Sequence, residues 1–290
     1  MVIALVRSLR PKQWAKNLLL FAGYLFTIQD HHPTHVLLRV LAAFGLFCLI
    51  SGAGYIINDV ADIRRDRSHP TKCKRPMASG AVPVGVAVVF AVLLTAGSVW
   101  ASFGLSTRFG MLALGYFTLS LAYSAGLKHV VIVDLLAIAA GFVIRAVAGA
   151  AVMPVKISPW LLVCTTLLAL FIGLAKRRSE LVLLEENGAE HRRTLGDYSA
   201  PMLDQMLTIA ASACLMGYFL YTFTPTSATG SAHPQMMITV PFVIYGLFRY
   251  LFLIHTRNAG GSPEQLLLED RPLLIDVVLY VAAVVVALKL

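Results

Sequence analysis

The chain has 290 residues, 58% of them hydrophobic and only 13% charged, with a formal net charge of +9. Soluble domains carry about 25% charged residues, so the composition excludes a water-soluble globular protein and indicates a polytopic membrane protein. The positive charge is not a nucleic-acid signal, because it gathers in the loops on one side of the expected membrane.

Apolar runs long enough to cross a bilayer predict an all-α bundle of about nine transmembrane helices, at 17–30, 36–57, 82–103, 109–125, 131–153, 159–175, 203–223, 236–255 and 273–288. They read as one integral-membrane domain over 1–290. The first run has no small-residue cleavage site near 18–27 and is expected to stay in the chain. Cys48, Cys73, Cys164 and Cys214 form no CxxC pair, so neither a disulfide framework nor a zinc site is indicated.

Ahead of the first run stands Arg10-Pro11-Lys12-Gln13-Trp14-Ala15-Lys16-Asn17. Trp14 reads as an interface anchor, and Lys16 and Asn17 enter the helix where a phosphate between helices would meet them. The second run ends in Asn58-Asp59-x-x-Asp62-x-x-x-Asp66. Spacing of i, i+3, i+7 puts all three carboxylates on one helical face. Such a stripe repels itself unless a cation screens it, and hard oxygen ligands suit Mg²⁺, which bridges to substrate phosphates. Arg64, Arg65, Arg67, Lys72, Lys74 and Arg75 interleave or follow; Lys72 and Arg75 in particular can fold back over a metal-bound phosphate. A solvated juxtamembrane loop explains these cations but not the spaced acids.

After the fourth run, Tyr123-Ser124-Ala125-Gly126-Leu127-Lys128 precedes Asp134, which opens the fifth helix among Val131, Ile132, Val133, Leu135 and Leu136. Arg145 follows three turns later on the same face. Ionisable residues at membrane depth mark function by default; a structural ion pair between Arg145 and Asp276 is the competing reading. Lys176 and Arg177 close the sixth run, as a topogenic cluster or as phosphate ligands. The loop at 176–202 has a helical composition and is expected to lie on the membrane surface. Arg249 with Glu269, Asp270 and Arg271 is a weaker cluster.

With the N-terminus inside, 18 of the 24 Lys and Arg residues fall on the inner side and four on the outer, Arg145 and Arg249 lying within spans. This bias sets the inner face as cytoplasmic, and all the candidate chemistry lies there. Nothing resembles a nucleophilic triad, a phosphate-binding glycine loop or a cofactor fingerprint.

The acid motif in this setting resembles the first aspartate-rich motif of the UbiA superfamily of intramembrane prenyltransferases. A finer likeness is to the branch whose donor is phosphoribosyl diphosphate. It is carried by Arg10-Pro-Lys-Gln-Trp-Ala-Lys-Asn17, the stretch 58–80 ending Arg75-Pro-Met-Ala-Ser-Gly80, Tyr123-Ser-x-x-Leu-Lys128, Gly141-Phe-Val-Ile-Arg145-Ala and Lys176-Arg-Arg-Ser-Glu-Leu181.

The resemblance implies a UbiA-like bundle with a cavity facing the cytoplasm of a bacterial plasma membrane. Asp59, Asp62 and Asp66 would hold Mg²⁺ on the donor diphosphate, Asn58 would assist, and Asp134 would join these three acids in catalysis. Lys16, Asn17, Lys72, Arg75, Tyr123, Lys128, Arg145, Lys176 and Arg177 would bind the substrates, phosphoribosyl diphosphate and a polyprenyl phosphate in the surrounding lipid. The product would feed cell-wall arabinan synthesis. The family admits homo-oligomers, although no self-association face is readable. Where ordinary members often have two acids in the second motif, only Asp134 stands here, which puts a second metal site in question. The alternatives are prenyl transfer to an aromatic acceptor and, from another class, a transporter; for the latter, no inverted repeat is seen.

Overall fold

The computed structural model describes residues 1–28, 32–68, 72–156, 158–187, 197–223, 234–257, 259–261 and 263–289. Within them every regular element is helical, as a chain in lipid requires when each backbone donor must find an acceptor in its own segment. The order is α1 (Val2–Ser8), a 3₁₀ segment (Pro11–Phe21), α2 (Ala22–Phe26), α3 (Thr34–Ala61), α4 (Ile63–Ser68), α5 (Val84–Leu105), α6 (Thr107–Ala125), α7 (Val133–Ala151), α8 (Pro159–Asn187), α9 (Ala200–Phe223), α10 (Val240–Arg257), α11 (Pro263–Glu269) and α12 (Arg271–Lys289). Short 3₁₀ turns cover Lys72–Lys74, Leu127–His129, Pro234–Thr239 and Ala259–Gly261.

Among the described residues, seven helices are long and apolar enough to cross a membrane: α3, α5, α7, α8, α9, α10 with its preceding turn, and α12. The chain is therefore a multi-pass membrane protein. The other two apolar runs expected from sequence, 109–125 and 17–30, fall on α6 and on the N-terminal stretch formed by the 3₁₀ segment and α2. That stretch is mostly 3₁₀, a form that eclipses residues three apart. Trp14, Asn17 and Leu20 accordingly share one side. Asn17 and Leu20 are buried, and the Asn17 amide donates to Ser51 Oγ at 3.2 Å and Cys48 Sγ at 3.3 Å on α3.

The helical composition expected from 176 onward is matched in the described residues 176–187. With no proline in its path, α8 runs on to Asn187, so Lys176, Arg177 and Glu180 stand on a rigid element. Residues 188–196, with Glu190, Arg192 and Arg193, lie outside the described residues, as does His69.

The chain divides into two compact units. One comprises Met1–Tyr24, Pro33–Leu127 and Val147–Pro154. Its centre is Phe47, fully buried, with ring centroids 5.6 Å from Phe109 and 5.4 Å from Tyr116. Small buried residues (Ala53, Ala87, Ala91) let α3 and α5 approach closely around Leu9, Ile56, Met77 and Val82, which is how membrane helices gain packing energy without a hydrophobic drive. Gly149 lies so close to the Leu20 carbonyl that any Cβ there would clash.

The other unit comprises Leu25–His32, Lys128–Ala146 and Val155–Leu290. Phe171, Leu203, Leu207, Leu253 and Ile254 fill its core, and the Phe171 ring lies tilted against Tyr250 with centroids 5.5 Å apart. Asp270 caps α12 by accepting the Leu273 N–H at 3.0 Å, and takes a two-pronged bond from Arg249 at 3.1 and 2.8 Å. Outward apolar side chains, Leu93 and Trp100 in the first unit and Ile209 in the second, are exposed, as suits contact with lipid.

Candidate active site

In the first unit the acids sit where α3 gives way to α4. Asp59 is on the last turn of α3, and Asp62 caps that helix, its N–H bonding the Asn58 carbonyl at 2.9 Å. The expected continuous stripe is thus broken at Asp62. The Asp66 N–H still reaches the Asp62 carbonyl at 2.9 Å, so a helical step survives the break. Asp59 and Asp66 are both buried and share one partner: Arg75 Nη1 donates to Asp59 Oδ1 at 3.0 Å and to Asp66 Oδ2 at 2.7 Å. Arg10 also donates to Asp59 Oδ1 and lays its guanidinium over Tyr55, 5.1 Å from the ring centroid. Asn58 Oδ1 accepts from Ser124 Oγ at 3.1 Å, tying the acid motif to the Tyr123-Ser124 corner of α6.

Arg75 is held in place by its own loop. Its N–H bonds the Lys72 carbonyl at 2.9 Å, Ser79 N–H bonds the Arg75 carbonyl at 2.9 Å, and Val82 N–H bonds the Pro76 carbonyl at 3.1 Å. Pro76, Met77 and Ala78 are buried. Gly80 closes the turn at φ 79°, a left-handed conformation that costs glycine little.

Among the described residues, no three His, Cys, Asp or Glu side chains converge on one point. Mg²⁺ nevertheless needs only one or two protein carboxylates when substrate phosphates complete its shell. Asp59 and Asp66 already bracket one cationic nitrogen between oxygen ligands. The chemistry of these two carboxylates is therefore compatible with a divalent ion that would be completed by substrate phosphates.

In the second unit, the turn after Lys128 leads into α7. Lys128 is buried, and Asp134, in the first turn of α7, is wholly so. Asp134 Oδ2 accepts from Arg177 Nε at 2.8 Å, while Arg177 Nη1 reaches Glu180 Oε2 at 2.5 Å. Asp134 Oδ1 has no hydrogen-bond partner among the described residues. A buried carboxylate oxygen left without a donor costs about 1–3 kcal/mol or more and calls for an explanation in function or solvent. Ile132, two residues earlier, adopts φ 68°, and its N–H donates to Tyr198 Oη at 2.8 Å. Burial raises the Tyr198 hydroxyl above its ordinary value of 10.0, so it stays protonated at neutral pH.

The remaining sequence-derived candidates are placed as follows. Lys16 Nζ donates to Gln13 Oε1 at 2.5 Å, and Asn17 is spent on α3. Lys72 is exposed, Tyr123 half-buried, and Lys176 Nζ lies 4.0 Å from Glu180 Oε1. Arg145 is buried within α7, donating to the Gly141 carbonyl at 2.9 Å and standing over the Phe142 ring. It does not pair with Asp276, a buried carboxyl that faces Gly246 instead. Two residues at these clusters were not singled out by sequence reasoning. Arg10 lay in a noted motif but carried no signal of its own. Tyr198 carries no local signal.

Comparison with known proteins places these features in context. Residues 18–267 match the model of the UbiA prenyltransferase family. The chain is 36% identical over 288 residues to a decaprenyl-phosphate phosphoribosyltransferase of Corynebacterium glutamicum, covering 98% of this chain and 86% of that one. It is 34% identical over 287 residues to a protein of the same name from Mycobacterium tuberculosis, covering 98% and 94%. Among solved structures, a UbiA homolog from Archaeoglobus fulgidus bound to GPP and Mg²⁺ superposes with a TM-score of 0.72 at 18% identity, covering 99% of this chain and all of the other.

Proposed function

The chain belongs to the UbiA prenyltransferase family, and from that membership we propose that it is a membrane-embedded phosphoribosyltransferase. It moves the 5-phosphoribosyl group of phosphoribosyl diphosphate onto a decaprenyl-type polyprenyl phosphate and releases diphosphate. The observation that carries this reading is 34–36% identity along nearly the whole chain to proteins named for that transfer. The entire chain, 1–290, serves as one transferase domain in a bacterial plasma membrane. The one-sided Lys and Arg distribution supports a cytoplasmic site, and the product supplies cell-wall arabinan synthesis.

Asp59, Asp62 and Asp66 would hold Mg²⁺, which when bound offsets the charge that develops on the departing diphosphate. Arg75 and Arg10 hold the buried carboxylates in place by hydrogen bonds until donor arrives. The fixed loop at 72–80 then presents the Arg75 fork to phosphate oxygens, a geometry that guanidinium matches in a bidentate way. Lys128 and Arg177 are the proposed phosphate-binding residues of the second unit, Arg177 sharing its charge with Asp134 and Glu180. Asp134, neutralised by a guanidinium, makes no demand for a second metal. The bond from the anomeric carbon to diphosphate breaks as one to the lipid phosphate oxygen forms, with inversion. The acceptor is anionic near neutral pH, so no strong general base is required.

The test supplies the purified protein with phosphoribosyl diphosphate labelled in the ribose and with decaprenyl phosphate. Label is expected in the organic phase, lost with a chelator and restored by Mg²⁺. Label remaining aqueous, while prenyl diphosphate is consumed with an aromatic acceptor, would replace this reading with prenyl transfer.

A further inference from the structure

Among the described residues only two non-glycine residues have positive φ, Arg10 at 51° and Ile132 at 68°, and each adjoins one of the two charged clusters. The Ile132 conformation is the more costly, because a β-branched side chain clashes in the left-handed region. Such backbone persists only where its surroundings over-determine it, and it gathers at functional sites. What holds Ile132 is on the page. Its N–H donates to Tyr198 Oη at 2.8 Å, and Tyr198 is almost wholly buried. The turn then closes through Asp134 N–H to the Val130 carbonyl at 3.1 Å and Leu135 N–H to the Ile132 carbonyl at 3.0 Å. These bonds set where α7 begins, and so set the carboxylate that Arg177 meets.

We propose that Tyr198 is a positioning residue for the transferase reaction: it clamps the left-handed turn at Ile132 and thereby holds Lys128 and Asp134 at the two ends of that turn, with Asp134 on Arg177. The proposal rests on the phosphoribosyl-transfer reading, in which Lys128 and Arg177 meet the donor. Tyr198 touches no reacting atom; it acts through the backbone. Its hydroxyl comes from a residue 66 positions along the chain from Ile132.

The experiment compares Tyr198→Phe, Ile132→Gly and the double variant in the full-length purified protein. Tyr198→Phe keeps the ring and its packing but removes the acceptor. The loss of one buried hydrogen bond predicts a rise of about tenfold in KM for phosphoribosyl diphosphate, with kcat changed less than KM. Glycine takes positive φ without strain, so Ile132→Gly in the Tyr198→Phe background should return KM to within about threefold of the parent. An unchanged KM in Tyr198→Phe overturns the proposal. So does a double variant that regains thermal stability but not KM, since a merely structural clamp would behave that way. If the parent protein transfers no phosphoribosyl group, the functional reading has failed instead. In that case amide exchange at Ile132 still decides the clamp: faster exchange in Tyr198→Phe supports it, and unchanged protection ends it.

Discussion

Arg177 Nε lies 2.8 Å from Asp134 Oδ2, and the two side chains are only 3% and 0% exposed. A pair this deep has a particular energetic signature. Removing one partner strands a buried charge and costs about 3–5 kcal/mol, whereas removing both is far less harmful. Asp134→Asn and Arg177→Gln should each lower the thermal midpoint in detergent by several degrees, and the double variant should lose much less than the sum. Additive losses would show that the two groups are not coupled. The same variants bear on metal stoichiometry: the Mg²⁺ concentration needed for half-maximal turnover should be unchanged in Asp134→Asn.

Asp59 and Asp66 differ from that pair in having a solvent-accessible partner, since Arg75 is 26% exposed. Their substitution should spare folding more than catalysis. Metal stabilisation of a departing phosphate contributes several kcal/mol, so Asp59→Asn or Asp66→Asn should lower kcat by about a thousandfold while the protein still inserts and purifies. Near-normal turnover in either variant removes that carboxylate from the metal site.

Arg10 donates to the same Asp59 oxygen as Arg75, from 49 residues away in sequence. Hydrogen bonds to charged groups contribute about 1.5–3 kcal/mol, so Arg10→Ala should reduce kcat/KM by about ten- to a hundredfold. Arg10→Lys should recover part of this, because a lysine keeps the charge but loses the planar contact with Tyr55. Equal activity in all three proteins would assign Arg10 to membrane orientation alone.

Asp270 gives a pH dependence that is separate from the chemistry. The two-pronged bond from Arg249 holds its carboxyl below the ordinary value of 3.8. A group lowered in this way stabilises the fold fully above its unfolded pKa, and that stabilisation is lost as pH falls through the folded value. The thermal midpoint should therefore drop as pH is lowered below about 4, and Asp270→Asn should flatten this acid limb while lowering the midpoint at neutral pH. An acid limb unchanged by Asp270→Asn would place its origin elsewhere.

Much of the architecture follows from local pattern. Long apolar runs punctuated by Pro154, Pro159, Pro225 and Pro234 force helices, because lipid offers the backbone no other partner. The acid motif announces itself because three carboxylates at helical spacing repel one another without a cation. Pattern is less informative about the form of an element than about its presence. The first apolar run is mostly 3₁₀, with Asn17 bonded to α3, whereas α8 continues past Arg177 to Asn187, in line with the helical composition of that stretch.

The sequence by itself determined that this chain spans a membrane and that a group of spaced acids stands at the end of an apolar run. Composition and spacing are properties of neighbouring residues and are legible there. Which cation each acid meets was decided only by tertiary structure. Asp59 meets Arg10 and Arg75, Asp134 meets Arg177, and the Ile132 amide meets Tyr198. These partners lie from 16 to 66 residues apart, and helix packing, which local periodicity does not encode, brings them within hydrogen-bond range.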